Sequence, residues 1–195
     1  MADGFKDEIR DRMKIIPKAE REVFDRAGRV AQGLARVDSG VRAAEDDLNQ
    51  IGYTLISDST DSTRAVYRKD DLVVKFEPTD TWRNENEVRN WRERLPESAK
   101  RLFSPIRGVG DDFLWVVMDY ANVDAVTDEQ HRELLQGLMV EENLEMTDPH
   151  PDNVGLLDGR AVMVDYNFRP KPVAPDMRER VAAFERQYRD YILAK

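Results

Sequence analysis

Three residues equipped for phosphoryl-transfer chemistry stand close together late in the chain. Asp148 and Asn153 lie five apart in Thr147-Asp148-Pro149-His150-Pro151-Asp152-Asn153, and Asp165 follows twelve residues on in Val164-Asp165-Tyr166-Asn167. Moving a phosphoryl group requires one carboxylate to orient an attacking hydroxyl and accept its proton. It also requires an oxygen ligand and a second carboxylate to hold Mg²⁺ against a triphosphate. A short loop carrying the first two residues and a hairpin returning the third would supply that set. Upstream, Lys75 sits inside the apolar run Leu72-Val73-Val74-Lys75-Phe76, where an ammonium must either face solvent or meet an acid. Glu87 is the candidate acid, with Glu85 as the alternative, because helix phase is readable only to a residue or two. Singly, these residues have plainer readings: Asp148 and Asn153 as turn residues, Glu87 as solvated helix surface. Their joint order is what points to chemistry.

The elements that must position them follow from hydrophobic period. The first fifty residues read as helices, from Phe5, Ile9, Met13 and Ile16, then Val23, Phe24, Ala27, Val30, Ala31 and Leu34, then Val41, Ala44, Leu48 and Ile51. From Gly52 the period becomes extended. Tyr53 to Ile56, Ala65 to Arg68 and Leu72 to Phe76 predict three antiparallel strands. Trp82 to Leu95 predicts a helix stopped by Pro96, and Phe113 to Tyr120 a buried strand. Thr127-Asp128-Glu129-Gln130 is a capping box opening a helix to about Leu144. Asn153 to Leu157 and Ala161 to Tyr166 form a hairpin turned at Asp158-Gly159. Asn167 to Pro175 reads as a linker, and a final helix carries Met177, Val181, Phe184, Tyr188 and Tyr191 on one face.

Composition narrows the field. With 30 Lys+Arg against 39 Asp+Glu the chain carries a formal charge of −9, which opposes direct nucleic-acid binding. The arginines Arg89, Arg92, Arg94 and Arg101 alternate with glutamates and read as a salt-bridged face. His131 reads as helix surface, and the three tryptophans as core or lobe contacts. No cysteine is present, so there is no disulfide, thiolate ligand or thiol nucleophile. Apolar runs are too short for a membrane span and Met1 to Arg10 alternates in charge, so the expectation is a soluble, cytoplasmic protein without a membrane partner. Among the cations 22 are Arg and 8 are Lys, a skew that fits either a salt-adapted surface or a high-GC genome.

The order of Lys75, Glu87, Asp148, Asn153 and Asp165 resembles the protein-kinase-like superfamily. In motif style it is closest to aminoglycoside and choline kinase-like phosphotransferases, whose catalytic loop often has His where protein kinases have Lys. Compact kinase-like proteins of haloarchaea and viruses are similar. The resemblance covers about Gly52 to Asn167. It implies an α+β, two-lobe kinase-like fold: an N-terminal helical extension (1–51), an N-lobe with hinge (52–121) and a reduced C-lobe (122–195). It also implies ATP and Mg²⁺ as cofactors. Asp148 is then the base, His150 faces the γ-phosphate, and Asn153 and Asp165 are the metal ligands. Lys75 contacts the phosphates and Glu87 holds it. Asp119 and Ala121 read the adenine edge from the hinge backbone, with Met118 behind it.

Three departures accompany the resemblance. Ser57 to Arg64 replaces a glycine-rich turn; its hydroxyls, amides and Arg64 would cover phosphates, provided Asp58 and Asp61 turn outward. Asn167 replaces a glycine, acceptable because Asn tolerates positive φ. Only about thirty residues follow Asp165, so a partner protein could cover the reduced C-lobe. Two functional expectations result: an ATP- and Mg²⁺-dependent phosphotransferase with an unidentified small-molecule or protein acceptor, or a pseudokinase serving as a structural or accessory module.

Overall fold

The computed structural model describes residues 16–33, 37–57, 64–77, 82–170 and 176–193. The turn expected at 58–63, with Asp58 and Asp61, lies outside them, as does the first helical segment predicted around Phe5 to Met13. The chain divides into two compact units, one of Met1–Val88 with Pro105–Tyr120, the other of Arg89–Ser104 with Ala121–Lys195. The α+β expectation holds as a mixed structure with a five-stranded antiparallel sheet and helices. No helix of the described residues is long and apolar enough to cross a membrane.

The first unit is built on that sheet: β1 (Thr54–Ser57), β2 (Ala65–Lys69), β3 (Leu72–Phe76), β4 (Ile106–Val109) and β5 (Trp115–Asp119), in spatial order β1-β2-β3-β5-β4. Strand alternation sends Tyr67, Val74, Phe76, Trp115 and Val117 to one face. There they form a core with Val23, Phe24, Ala27, Ala31, Ala44 and Leu48 of α1 (Lys18–Gly33) and α2 (Val37–Gln50). Phe24 meets Tyr53 at 5.2 Å and Trp115 at 5.3 Å, both edge-on, the arrangement aromatic quadrupoles favour. Trp115 also donates its indole N–H to Asp25 at 2.8 Å. With one face occupied by helices, the other is left to Lys75.

Two first-unit elements differ from expectation. The helix beginning at Trp82 starts one residue later, as α3 (Arg83–Arg89), because Trp82 takes φ 55° and stands exposed. Unlike Trp91 and Trp115, it is no core residue. The strand expected from Phe113 begins at Trp115, behind a tight turn at Asp111–Phe113 in which Asp112 and Phe113 both have positive φ. Gly110 makes that turn possible: a Cβ there would lie 2.4 Å from Trp115 Nε1. Strand β4 was missed, since Arg107 and Gly108 interrupt its apolar pattern.

In the second unit the predicted helix to Leu95 ends as a wider π-turn, Asn90–Arg94, closed by Leu95 N–H donating to Asn90 O at 2.8 Å. The Asn90 side chain is buried and donates to Tyr166 O at 2.6 Å. The capping box forms as expected, with Gln130 N–H donating to Thr127 Oγ1 and Thr127 N–H to Gln130 Oε1. Its helix α4 (Asp128–Gln136) is shorter than predicted. A π-turn at Gly137–Glu141 and a positive φ at Asn143 redirect the chain into β6 (Leu144–Met146). The hairpin is β7 (Val154–Leu157) with β8 (Arg160–Met163), in register Val154↔Met163 to Leu157↔Arg160. Part of the expected linker is instead strand β9 (Phe168–Pro170), paired antiparallel with β6. In α5 (Met177–Leu193) the apolar stripe divides: Phe184 is buried and stacks on Tyr188, while Met177 and Val181 are exposed.

Candidate functional site

Lys75 lies mid-strand in β3, between Val66 of β2 and Val116 of β5. Alternation puts Met118, opposite Val73, on the same face. The ammonium is buried, 6% exposed, and its Nζ stands 3.0 Å from Glu87 Oε1. The same oxygen lies 2.9 Å from Arg64 Nη2, so one carboxylate oxygen serves two buried cations. Arg64 thus has its guanidinium on the helix acid.

What holds Glu87 at this height is a second acid, one residue beyond β3. Glu77 is buried and accepts from the backbone N–H groups of Arg83 at 2.5 Å and Asn84 at 2.6 Å. These are first-turn donors of α3 that have no partner within the helix, and a carboxylate is the favoured cap for them. Asn84, fully buried, donates its side-chain amide to Phe113 O at 2.9 Å, with Lys75 O at 3.5 Å. Strand β3 therefore carries the lysine and also anchors the helix that carries its partner.

At the end of β5, the Asp119 carboxylate takes a two-pronged contact from Arg107, 2.6 Å at each oxygen. That hydrogen bond raises the Arg107 pKa and keeps it cationic. Asp119 N–H donates to Pro105 O at 3.1 Å. Next to it, Arg68 Cζ lies over the Tyr120 ring, 3.5 Å from its centroid. Ala121, in the second unit, is buried against Gly155.

The second unit gathers the remaining candidates in a hydrogen-bonded circuit. Asn153 Nδ2 donates to Asp148 O at 3.2 Å, which turns Oδ1 the other way. Val164 N–H donates to Asn153 O at 2.9 Å, drawing the start of the Asp165 segment against the loop. Asn167 Nδ2 donates to Asp165 Oδ2 at 2.9 Å. The circuit closes where Asn167 O accepts both the backbone N–H and the hydroxyl of Thr147, each at 2.9 Å. Asp148 is exposed, and Asn153 and Asp165 are half-buried. His150 is exposed and its Nδ1 caps the turn Pro151–Asn153 through Asp152 N–H at 3.4 Å.

The donor set suits a hard divalent cation. An amide oxygen from Asn153 and a carboxylate from Asp165 are oxygen ligands of the kind Mg²⁺ takes, with water and phosphate completing its shell. The amide orientation of Asn153 agrees, because its nitrogen is committed to Asp148 O.

No family model and no curated protein matches the sequence. Among solved structures, one of the bifunctional kinase-methyltransferase WbdD aligns at 17% identity and a TM-score of 0.43 over 66% of this chain. A high-resolution WbdD structure aligns at 14% and 0.46 over 71%, and monomeric WbdD at 18% and 0.41 over 63%. The chain spans about a third of the length of these proteins, 34–37%. Likenesses this distant leave the functional reading to the residues themselves.

Several contributors escaped the sequence reading. His131, expected at the helix surface, is 2% exposed, with Nε2 3.0 Å from Pro149 O. Its spacing to Leu134, Leu135 and Leu138, all buried, was a readable sign of the inward face. Asn167 does not take the positive φ expected of it; its side chain is used instead. Glu77, Asn84 and Thr147 carried no such signal, because their partners are backbone atoms brought in by folding.

Proposed function

We propose that this chain is a phosphotransferase of the protein-kinase-like superfamily, working in the cytoplasm on ATP with Mg²⁺. Its acceptor is a small hydroxylated or amino compound or a protein hydroxyl. The observation that carries this reading is the circuit linking Thr147, Asp148, Asn153, Val164, Asp165 and Asn167. It gathers the base candidate and both ligand candidates within one unit, in the order the kinase resemblance requires. The buried Lys75–Glu87 pair of the first unit supports it.

In this reading Asp148 accepts the proton of the attacking hydroxyl, its exposure leaving room for an acceptor. Asn153 and Asp165 hold Mg²⁺, which when bound neutralises charge on the transferring phosphate. Lys75 contacts the phosphates, held by Glu87, and Arg64 adds a second cation there. The backbone of Asp119 and Ala121 reads the adenine edge, with Met118 behind it. His150 faces the γ-phosphate.

The test measures the melting temperature with and without millimolar ATP and Mg²⁺, then phosphate transfer to a panel of hydroxylated acceptors. A metal-dependent shift in the wild-type protein, lost in Asp165→Ala, and transfer lost in Asp148→Ala are expected. No shift under any salt condition would sink the enzyme reading. A second reading, a pseudokinase acting as a binding module, draws on Arg64 being held by Glu87 and on His150 Nδ1 accepting from Asp152 N–H. It expects nucleotide-independent stability and no transfer.

A further inference from the structure

Asn167 occupies a position where the kinase resemblance has glycine, and its side chain is committed. Nδ2 stands 2.9 Å from Asp165 Oδ2, a bond only an amide N–H can donate, since the carboxylate only accepts. The Asn167 backbone is fixed independently, through its carbonyl to both donors of Thr147. The amide is thus delivered from a braced position, two residues from the carboxylate it holds.

We propose that Asn167 is a positioning residue that sets the metal preference of Asp165, an inference that rests on the phosphotransferase reading. The amide occupies one of the two lone pairs of Oδ2, so a cation bridging both carboxylate oxygens would share Oδ2 with it. One oxygen per carboxylate suits a small six-coordinate ion such as Mg²⁺. Ca²⁺ is larger, takes six to eight oxygens and readily uses both oxygens of a carboxylate, so a hydrogen bond on Oδ2 weakens that bidentate option. The amide also fixes the carboxylate plane, as outer hydrogen bonds to metal ligands do. A glycine here would give neither effect.

The experiment uses the full chain with a saturating non-hydrolysable ATP analogue. MgCl₂ or CaCl₂ is titrated while the melting temperature is followed, giving a half-effect concentration for each metal without turnover. Wild type, Asn167→Gly, Asn167→Leu and Asp165→Ala are compared. Gly supplies backbone freedom and Leu keeps the bulk; both delete the donor, and the metal-free melting temperature of each reports whether it folds. The half-effect concentration for Mg²⁺ is expected to rise about tenfold in both Asn167 variants, with that for Ca²⁺ changing much less, so that the preference narrows. If wild type responds to metal, Asp165→Ala does not, and the Asn167 variants keep the wild-type Mg²⁺ to Ca²⁺ ratio, the role of Asn167 is overturned while the phosphotransferase reading stands. If wild type and Asp165→Ala are equally indifferent to metal, both fall.

Discussion

His131 Nε2 stands 3.0 Å from the carbonyl oxygen of Pro149, the residue after Asp148. A carbonyl can only accept, so Nε2 carries the proton and the ring acts as a buried tether from α4 to the loop. Replacing the ring by Phe keeps its bulk and removes the donor. His131→Phe is expected to cost about 1–3 kcal/mol and to speed amide exchange in 148–153. Unchanged exchange there would show that the contact fills space without positioning the loop.

Glu87 is shared, and the sharing makes its loss asymmetric. Glu87→Ala takes the common partner from two buried cations, Lys75 and Arg64, and is expected to lower stability by about 3–5 kcal/mol. Lys75→Met leaves the acid with Arg64 at 2.9 Å and is expected to cost much less. Urea unfolding of both variants gives the comparison, and equal losses would argue against a shared role.

The cap on α3 makes its own prediction. Glu77 accepts from two backbone N–H groups of the first turn, so Glu77→Ala should lose roughly 2 kcal/mol. Glu77→Gln keeps one acceptor oxygen and should recover part of it. The same unfolding assay reads both; a Gln variant no better than Ala would mean that the charge, and not the acceptor, is what matters.

Gly155 tests the packing behind the loop. A Cβ added there would lie 2.6 Å from Ala121 Cβ and 2.8 Å from its backbone. Since backbone cannot swing aside as a side chain can, Gly155→Ala is expected to destabilise by about 1–3 kcal/mol. A neutral change in melting temperature would contradict that close approach.

At high pH the first unit has a built-in weak point. Tyr53 is fully buried and its hydroxyl donates to Glu20 at 3.2 Å. Burial, and after it the nearby Glu20 charge, raise its pKa well above the ordinary tyrosine value. A folded-state pKa above the unfolded one means that the folded protein holds the proton more tightly. The stabilisation is complete below about pH 10 and declines as pH climbs from there toward the folded value. The slope is at most about 1.4 kcal/mol per pH unit for one proton. Tyr53→Phe should flatten that decline in alkaline unfolding curves; an unchanged slope would remove Tyr53 as its source.

Local chemistry made much of the fold readable. The capping box at Thr127 and Gln130, the Asp158-Gly159 turn and strand β3 all rest on residues within a few positions of one another. Where the expectation failed, a distant contact had intervened. The helix through Asn90 opens into a π-turn where the buried Asn90 side chain bonds Tyr166 O, 76 residues away. Part of the expected linker became β9 because β6, more than twenty residues earlier, offers it an edge.

The sequence by itself determined that Lys75, inside an apolar strand, must either face solvent or meet an acid, and it set Asp148, Asn153 and Asp165 at the spacing that the kinase resemblance assigns to a base with two oxygen ligands. Burial of a charge without a partner is too costly for the first to be otherwise. Only the tertiary structure decided that Glu87 answers both Lys75 and Arg64, that Glu77 fixes the helix bearing it, and that His131 and Asn167 brace the loop and the carboxylate. A sequence can state that a polar group must be satisfied. Which group satisfies it depends on distances of about 3 Å between atoms many residues apart, and those are set when the elements pack.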